Sequence, residues 1–258
     1  MKNTFRSIVY VITRSKLLII SFISLVILMA VITGANMAGG STSGLYLGGA
    51  SISFMFPIVI VGVAVGIVCC SDMKDKVSNY EILSGHSREE FYFARFICAV
   101  VLASVLGFIL SFIPMIYGNL FYGWGDKLIF SEVLIRQLLF IFPLLRLSAF
   151  FVCVSFVVRN DLIMTAAGFA MGLITPIMLS LFSEASDSFF ISIYNFNYLM
   201  DFNKWEIYNV ASDGIVKYMT GVSTVTPEMV TGTILISLFM TVVYMLLGYG
   251  LFRRSDIE

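Results

Sequence analysis

The chain has 258 residues, 59% of them hydrophobic and 12% charged, and its 16 basic and 16 acidic residues cancel to zero net charge. A water-soluble domain carries roughly 25% charged residues, so a soluble single-core fold is excluded and the sequence falls in the membrane class. Zero net charge leaves no footprint for a polyanion, which removes nucleic acid from the possible partners.

The first sixteen residues place Phe5, Ile8, Val9 and Ile12 at helical spacing, interrupted by Lys2, Arg6 and Arg14. This pattern predicts an amphipathic helix on the inner membrane surface. The plainer alternative is a positive patch that only sets topology. Six apolar runs follow, at about 17–33, 51–70, 91–117, 137–158, 162–182 and 229–252. A hydrocarbon core of about 30 Å takes roughly 20 apolar residues as helix. In lipid each backbone amide must be paired within its own segment. The expected fold is therefore an all-α membrane protein of six transmembrane helices, forming a single domain over 1–258. The first run is long for a cleavable signal peptide, although the small residues Gly34, Ala35, Ala38, Gly39 and Gly40 after it leave a cleavage site open. Pro57, Pro114, Pro143 and Pro176 lie inside spans or near their ends, where kinks are expected.

Orientation follows from Lys and Arg in the short flanks. One set of flanks holds Lys2, Arg6, Arg14, Lys16, Lys74, Lys76, Arg88, Arg95, Arg159, Arg253 and Arg254; the other holds Lys127, Lys204 and Lys217. The first set is read as cytoplasmic, which puts both termini inside and agrees with an even number of spans. Arg136 sits near the outer surface and is expected to snorkel. The outer side then has an uncharged Gly/Ser-rich loop at 35–50, a short aromatic loop at 118–131, and a long loop at 183–228 between spans five and six. The aromatic centre of that long loop, Phe189 to Phe202, reads as helical turns at the headgroup level.

Between spans two and three lies a charged island, residues 71–90. Val77, Tyr80 and Leu83 form an apolar stripe at helical spacing, and Gly85 follows as a helix stop. Ser87 with Glu90 three residues on is a capping box directly before an apolar run. The island thus reads as a short helix, a break at Ser84-Gly85-His86, and the start of span three. Arg88 and Arg95 share one face of that span and can pair with Glu89, Glu90 or phosphate headgroups.

The run Tyr80-Glu-Ile-Leu-Ser-Gly-His-Ser-Arg88, followed by a span opening Glu-Phe-Tyr-Phe-Ala-Arg95, resembles the second cytoplasmic-loop signature of ABC-2 type transporter permeases. It looks most like the branch linked to bacteriocin and lantibiotic immunity, the membrane subunits of ABC exporters in the bacterial cytoplasmic membrane. The terminal Phe252-Arg-Arg-Ser-Asp-Ile257 is similar to that family's usual ending. The layout of six spans, inner amphipathic start and long fifth loop matches over nearly the whole chain, whereas the local motif is short. The resemblance implies that the short helix is a coupling helix seated in a cytoplasmic ABC ATPase subunit. By the same resemblance its contact residues are Tyr80, Glu81, Leu83, Ser84, His86 and Arg88. An ordinary capped loop is the bland alternative.

The chain offers no ATP site of its own. Gly34-Ala-Asn-Met-Ala-Gly39-Gly40-Ser41 has the spacing of a phosphate loop, but glycine stands where the lysine belongs and no strand precedes it. ATP and Mg are expected on the partner ATPase. His86 is the single histidine, so His-paired metal sites are excluded, and no Asp or Glu falls inside an expected span, which argues against an acidic proton relay. Catalytic, cofactor and metal residues are therefore none. Cys69, Cys70, Cys98 and Cys153 all fall in or at the end of apolar runs and read as small buried residues.

Two further features stand inside the spans. Arg146 lies deep in span four, where an arginine marks a functional site or fixes helix packing. Its expected compensators are Tyr or Ser hydroxyls, carbonyls near Pro143, water, or an anionic group. Gly62 with Gly66 and Gly168 with Gly172 each put two glycines four apart on one helix face, which permits close helix contact. In the resembled family, spans one and five line the seam with a second permease. Gly168 and Gly172 are therefore read as dimer contacts or as packing within the chain. The expected function is transport of an amphipathic or hydrophobic peptide, lipid or drug. The rival is a membrane sensor or assembly protein that docks a cytoplasmic partner without transporting.

Overall fold

The computed structural model describes residues 2–36, 40–43, 52–71, 87–125, 129–182, 208–210, 216–219 and 227–254. The described residues form eight helices and one short hairpin. The helices are α1 (Lys2–Arg14), α2 (Lys16–Asn36), α3 (Ile52–Val65), α4 (Arg88–Tyr122), α5 (Phe130–Leu139), α6 (Ile141–Val158), α7 (Asp161–Phe182) and α8 (Pro227–Arg254). Four stretches among them, Lys16–Ala35, Arg88–Tyr122, Phe130–Val158 and Val230–Arg254, are long and apolar enough to cross a membrane. Phe56–Cys70 and Asp161–Gly172 are shorter apolar stretches. β1 (Tyr208–Val210) and β2 (Val216–Met219) pair antiparallel with a bulge between Asn209 and Val210. The hairpin lies in the loop between α7 and α8, whose centre (Phe189 to Phe202) lies outside the described residues.

α3 is the centre of the bundle. Every residue from Phe56 to Cys70 is buried, as expected of a helix that is apolar all round. α4, α6 and α7 surround it. The contact with α7 is at backbone distance: a Cβ added to Gly62 would lie 2.8 Å from the Gly168 Cα, and one added to Gly66 would lie 3.1 Å from the Asp161 carbonyl oxygen. Small residues let helices approach this closely where no water-driven force holds them. Gly168 is thus engaged in packing within the chain, and Gly172 is buried.

The outer faces are apolar. Leu17, Ile20, Ile23, Ile27 and Val31 of α2 are exposed, as are Leu235, Phe239, Val242 and Leu246 of α8. In α1, Ile8 is buried and Ile12 packs on the core, whereas Val9 is exposed. The helix predicted for the first residues is present, and it rests on α4 and the end of α3.

The fourth apolar stretch begins earlier than the sequence implies. It starts at Phe130 and is interrupted at Phe140, which separates α5 from α6. Pro143 is the cause: it has no N–H for the Leu139 carbonyl, and its ring crowds that carbonyl. Phe140 keeps its own N–H bonded to the Arg136 carbonyl at 3.1 Å, and the helix resumes with Leu144 N–H on the Phe140 carbonyl at 3.1 Å. This extension brings Glu132 into the apolar stretch, correcting the expectation that no carboxylate lies inside a span.

Tight turns join the helices at both ends of the bundle. Thr42 N–H and hydroxyl both donate to the Gly123 carbonyl (3.1 and 2.7 Å), and Ser43 N–H donates to the Trp124 carbonyl at 2.8 Å. Gly125 in that turn has φ +80°, and a Cβ there would strike Ser41. At the other end, Arg159 closes α6 with φ 51°, its N–H donating to the Ser155 carbonyl at 2.9 Å. The Asn160 side chain then accepts from Leu162 N–H at 3.0 Å and opens α7. A left-handed L-residue costs roughly 1–2 kcal/mol, and glycine is the usual occupant of that position. Arg159→Gly is expected to stabilise the protein by up to about 1 kcal/mol, after the extra backbone freedom of glycine is counted. A raised thermal midpoint in detergent checks this, and a lowered one refutes it.

Candidate functional site

Of the residues singled out for coupling, Arg88 lies at the end of the bundle where α4 begins and where α6 and α8 end. Ser87 caps α4: its hydroxyl accepts from Glu90 N–H at 3.1 Å, the bond expected of a capping box. Glu89 and Glu90 follow in the first turn, where negative charge suits the positive end of the helix. Arg88 is exposed on that turn. Tyr80, Glu81, Leu83, Ser84 and His86 lie outside the described residues.

Past the cap, α4 runs into a cluster of rings. Tyr92 is fully buried, with ring centroids of Phe93, Phe96, Phe156, Tyr249 and Phe252 between 4.8 and 5.9 Å away. Its hydroxyl donates to the Met245 carbonyl at 2.7 Å. Phe91 stacks on Phe252 at 5.8 Å, and Tyr249 hydroxyl donates to Glu89 Oε1 at 2.7 Å. Gly248 makes room for this: a Cβ there would meet the Tyr92 hydroxyl at 2.6 Å and Cys153 Cα at 3.3 Å. Such ring pairs are worth roughly 0.5–1.5 kcal/mol each beyond area burial. The first turns of α4 are therefore tied to the last turns of α6 and α8.

The sequence reading did not find this cluster. Its signals were present: Phe91, Tyr92 and Phe96 follow directly on the capping box, and Tyr249 and Phe252 stand three apart at the end of the last apolar run. Apolar periodicity treats such residues as span lining and says nothing of which helix ends meet.

Arg95 corrects an expectation. It does not share an exposed face with Arg88; it is 0% exposed. Its Nη1 donates to the Val68 carbonyl at 2.9 Å, and its guanidinium lies 4.3 Å from the Phe91 ring centroid. The difference is in what covers the helix. About two turns beyond Arg88, the π turn that follows α3 packs against α4.

That end of α3 is a π-helical turn, Gly66–Cys70, with all five residues buried. Ser71 N–H donates to the Gly66 carbonyl five residues back, and Ser71 hydroxyl donates to the Ile67 carbonyl. The Ile67 carbonyl accepts from the serine hydroxyl and the Val68 carbonyl from the arginine.

A second polar file runs through the bundle. Ser104 and Ser148 hydroxyls meet at 3.2 Å, and Gln137 Nε2 donates to Ser111 Oγ at 2.6 Å. Arg146 is buried, and Tyr244 of α8 lies near it. Arg136 does not snorkel: it is buried beside Glu132, four residues earlier on the same helix. An i, i+4 pair of opposite charge needs no reach to the surface. The four cysteines are free and buried, and among the described residues no group of His, Cys, Asp and Glu could hold a metal ion.

No family model matches this chain, and no curated protein matches it.

Proposed function

We propose that this chain is the membrane-spanning permease subunit of an ATP-driven ABC-2 type exporter, with six spans and both termini in the cytoplasm of a bacterial cell. The energy source is a separate cytoplasmic ATPase that holds ATP and Mg. The chain itself performs no catalysis. A second permease, identical or similar, completes the path. The cargo is an amphipathic or hydrophobic molecule, and the immunity-like resemblance favours an antimicrobial peptide.

One observation supports this reading above the others. The two ends of segment 72–86 are held by firm structure: Ser71 closes the π turn of α3, and Ser87 caps α4. Both flanks are linked by the Arg95–Val68 bond, and the ring cluster links α4 onward to α6 and α8. A push on segment 72–86 therefore reaches three helices within about two turns of backbone. A soluble motor needs such a short rigid path, and Tyr with Arg are residue types that anchor interfaces.

The test is co-purification followed by turnover. The full chain, isolated from its native membrane, is expected to bring with it an ATP-hydrolysing protein whose rate depends on the chain. Tyr80→Asp with Leu83→Asp is expected to leave the chain in the membrane and abolish that dependence. Retained coupling in the double variant would overturn the assignment of the coupling helix. A partner that docks without any change in turnover would instead favour the sensor or assembly reading.

A further inference from the structure

We propose that Arg6, Tyr10, Arg14 and Lys16 form a binding strip for the headgroup phosphate of an anionic lipid, so that charge and not apolar insertion fastens α1 to the membrane surface. An amphipathic surface helix ordinarily buries its apolar stripe in the lipid. Here that stripe is used otherwise: Ile8 is buried and Ile12 packs on the core, and α1 rests on α4 and the π turn. The opposite face is the one left to meet a partner. Ile8 and Ile12 stand two residues either side of Tyr10, a rotation of about 200° on a helix. Arg6, Tyr10 and Arg14 follow one another at steps of four along that opposite face, and all three are exposed. The Arg14 guanidinium carbon lies 4.5 Å from the centre of the Tyr10 ring. A ring covers the flat side of a guanidinium and not its N–H edge, which is the edge that grips a phosphate.

The depth of the strip is set by the joint with α2. Ser15 N–H donates to the Ile12 carbonyl at 3.2 Å, and Ser15 Oγ accepts from Leu18 N–H at 3.3 Å. One residue therefore ends α1 and caps α2. Lys16 opens α2 and is exposed, and it is the last charge on that helix. Leu17, Ile19 and Ile20 come directly after it and are exposed as well. An apolar outer surface that opens at Leu17 puts Arg14 and Lys16 at headgroup level, where basic side chains meet lipid phosphates. The charge layout then selects the sign of the lipid. Before Asp72 the chain has four basic residues, Lys2, Arg6, Arg14 and Lys16, and no acidic one. A cluster of this sign beside a bilayer is attracted by anionic headgroups, and the attraction fades within a Debye length. The strip stands on α1 and α2 alone and does not depend on the function proposed above.

The experiment titrates the full chain, in a neutral detergent, into a short-chain fluorescent phosphatidylglycerol and follows binding by anisotropy. Unlabelled phosphatidylglycerol is expected to displace the probe, and phosphatidylcholine or inorganic phosphate at the same concentration is not. Arg14→Gln is expected to weaken binding roughly five-fold, the gain of one basic residue beside an anionic lipid surface. Arg6→Gln, Arg14→Gln and Lys16→Gln together are expected to weaken it about ten-fold or more beyond that. These side chains are exposed, so the fold is expected to survive their loss. Raising the salt from about 0.05 M to about 0.5 M is expected to weaken wild-type binding strongly, which apolar insertion of α1 would resist. Arg253→Gln with Arg254→Gln is the control: both are exposed at the same end of the bundle, and their loss is expected to matter less than that of Arg14 alone. Binding that persists in the triple variant overturns the proposal, as does a control pair that weakens it equally or displacement by phosphatidylcholine or inorganic phosphate. If the triple variant keeps its lipid but loses a co-purified ATPase, the strip faces a protein, and the proposal falls while the function proposed above stands.

Discussion

Gly62→Leu and Gly168→Leu are each expected to prevent recovery of folded protein, while Gly232→Leu and Gly250→Leu are tolerated. At the first pair, an added Cβ meets main chain: 2.8 Å from Gly168 Cα in one direction, and 3.1 Å from Gly62 Cα and 3.3 Å from the Val59 carbonyl oxygen in the other. No rotamer change relieves a contact between two backbones. The helices must separate, and α3 is the element on which α4, α6 and α7 are all packed. Overpacking a tight core by a methyl group costs roughly 1–3 kcal/mol, so Gly62→Ala is expected to fall in that range and the leucine variants beyond it. At Gly232 and Gly250 a Cβ meets nothing within 4 Å, which makes them controls for the general effect of leucine in an apolar helix. Size-exclusion profiles and thermal midpoints in detergent decide the matter. A Gly62→Leu protein as stable as Gly232→Leu would mean that α3 and α7 do not cross at this point.

Tyr92→Ala is expected to cost roughly 3–5 kcal/mol, the range for removing a large buried ring, and Tyr92→Phe only about 0.5–1.5 kcal/mol for its hydrogen bond. The contrast separates the two roles of the residue. The ring fills the space between Phe96, Phe156, Tyr249 and Phe252. The hydroxyl satisfies one carbonyl, that of Met245. Because the neighbours are protein rather than lipid, loss of the ring forfeits many dispersion contacts with nothing to replace them. On the proposed function, Tyr92→Ala is also expected to weaken the dependence of a co-purified ATPase on the chain, since α8 is no longer tied to the start of α4. Denaturant titration of the two variants in detergent gives the stability difference. Equal losses for alanine and phenylalanine would assign the site's stability to the hydroxyl and not to the ring.

Much of this architecture was legible in the residue pattern, and the reasons it stopped short are specific. Ser87 and Glu90 announced the start of α4 because a cap is a local event, settled within four residues. The paired glycines announced close helix contact because only a missing side chain permits it, although spacing could not say whether the partner helix was in this chain. Gly62 against Gly168 answers that for the second of them. Arg95 was misplaced because helical spacing fixes a face but not what covers it. Arg136 was misplaced because the apolar run was taken to begin at Gln137; the helix starts at Phe130, and Glu132 enters with it. Pro143 was recognised as a kink, but its position in the third dimension, at the gap between α5 and α6, depends on which carbonyl loses its donor. The π turn left no mark in the sequence, since one surplus residue at the end of an apolar run does not alter its composition. The hairpin at 208–219 was also beyond reach, because three- and four-residue strands are too short to display alternation.

α4 is unbroken for 35 residues. At 1.5 Å per residue that is about 52 Å of rod, against an oily layer of about 30 Å. Even a tilt of about 40° leaves part of the rod outside the hydrocarbon core. On the proposed function, a soluble motor would have that emergent part of α4 to pull on, and a thicker or thinner membrane changes how far it protrudes.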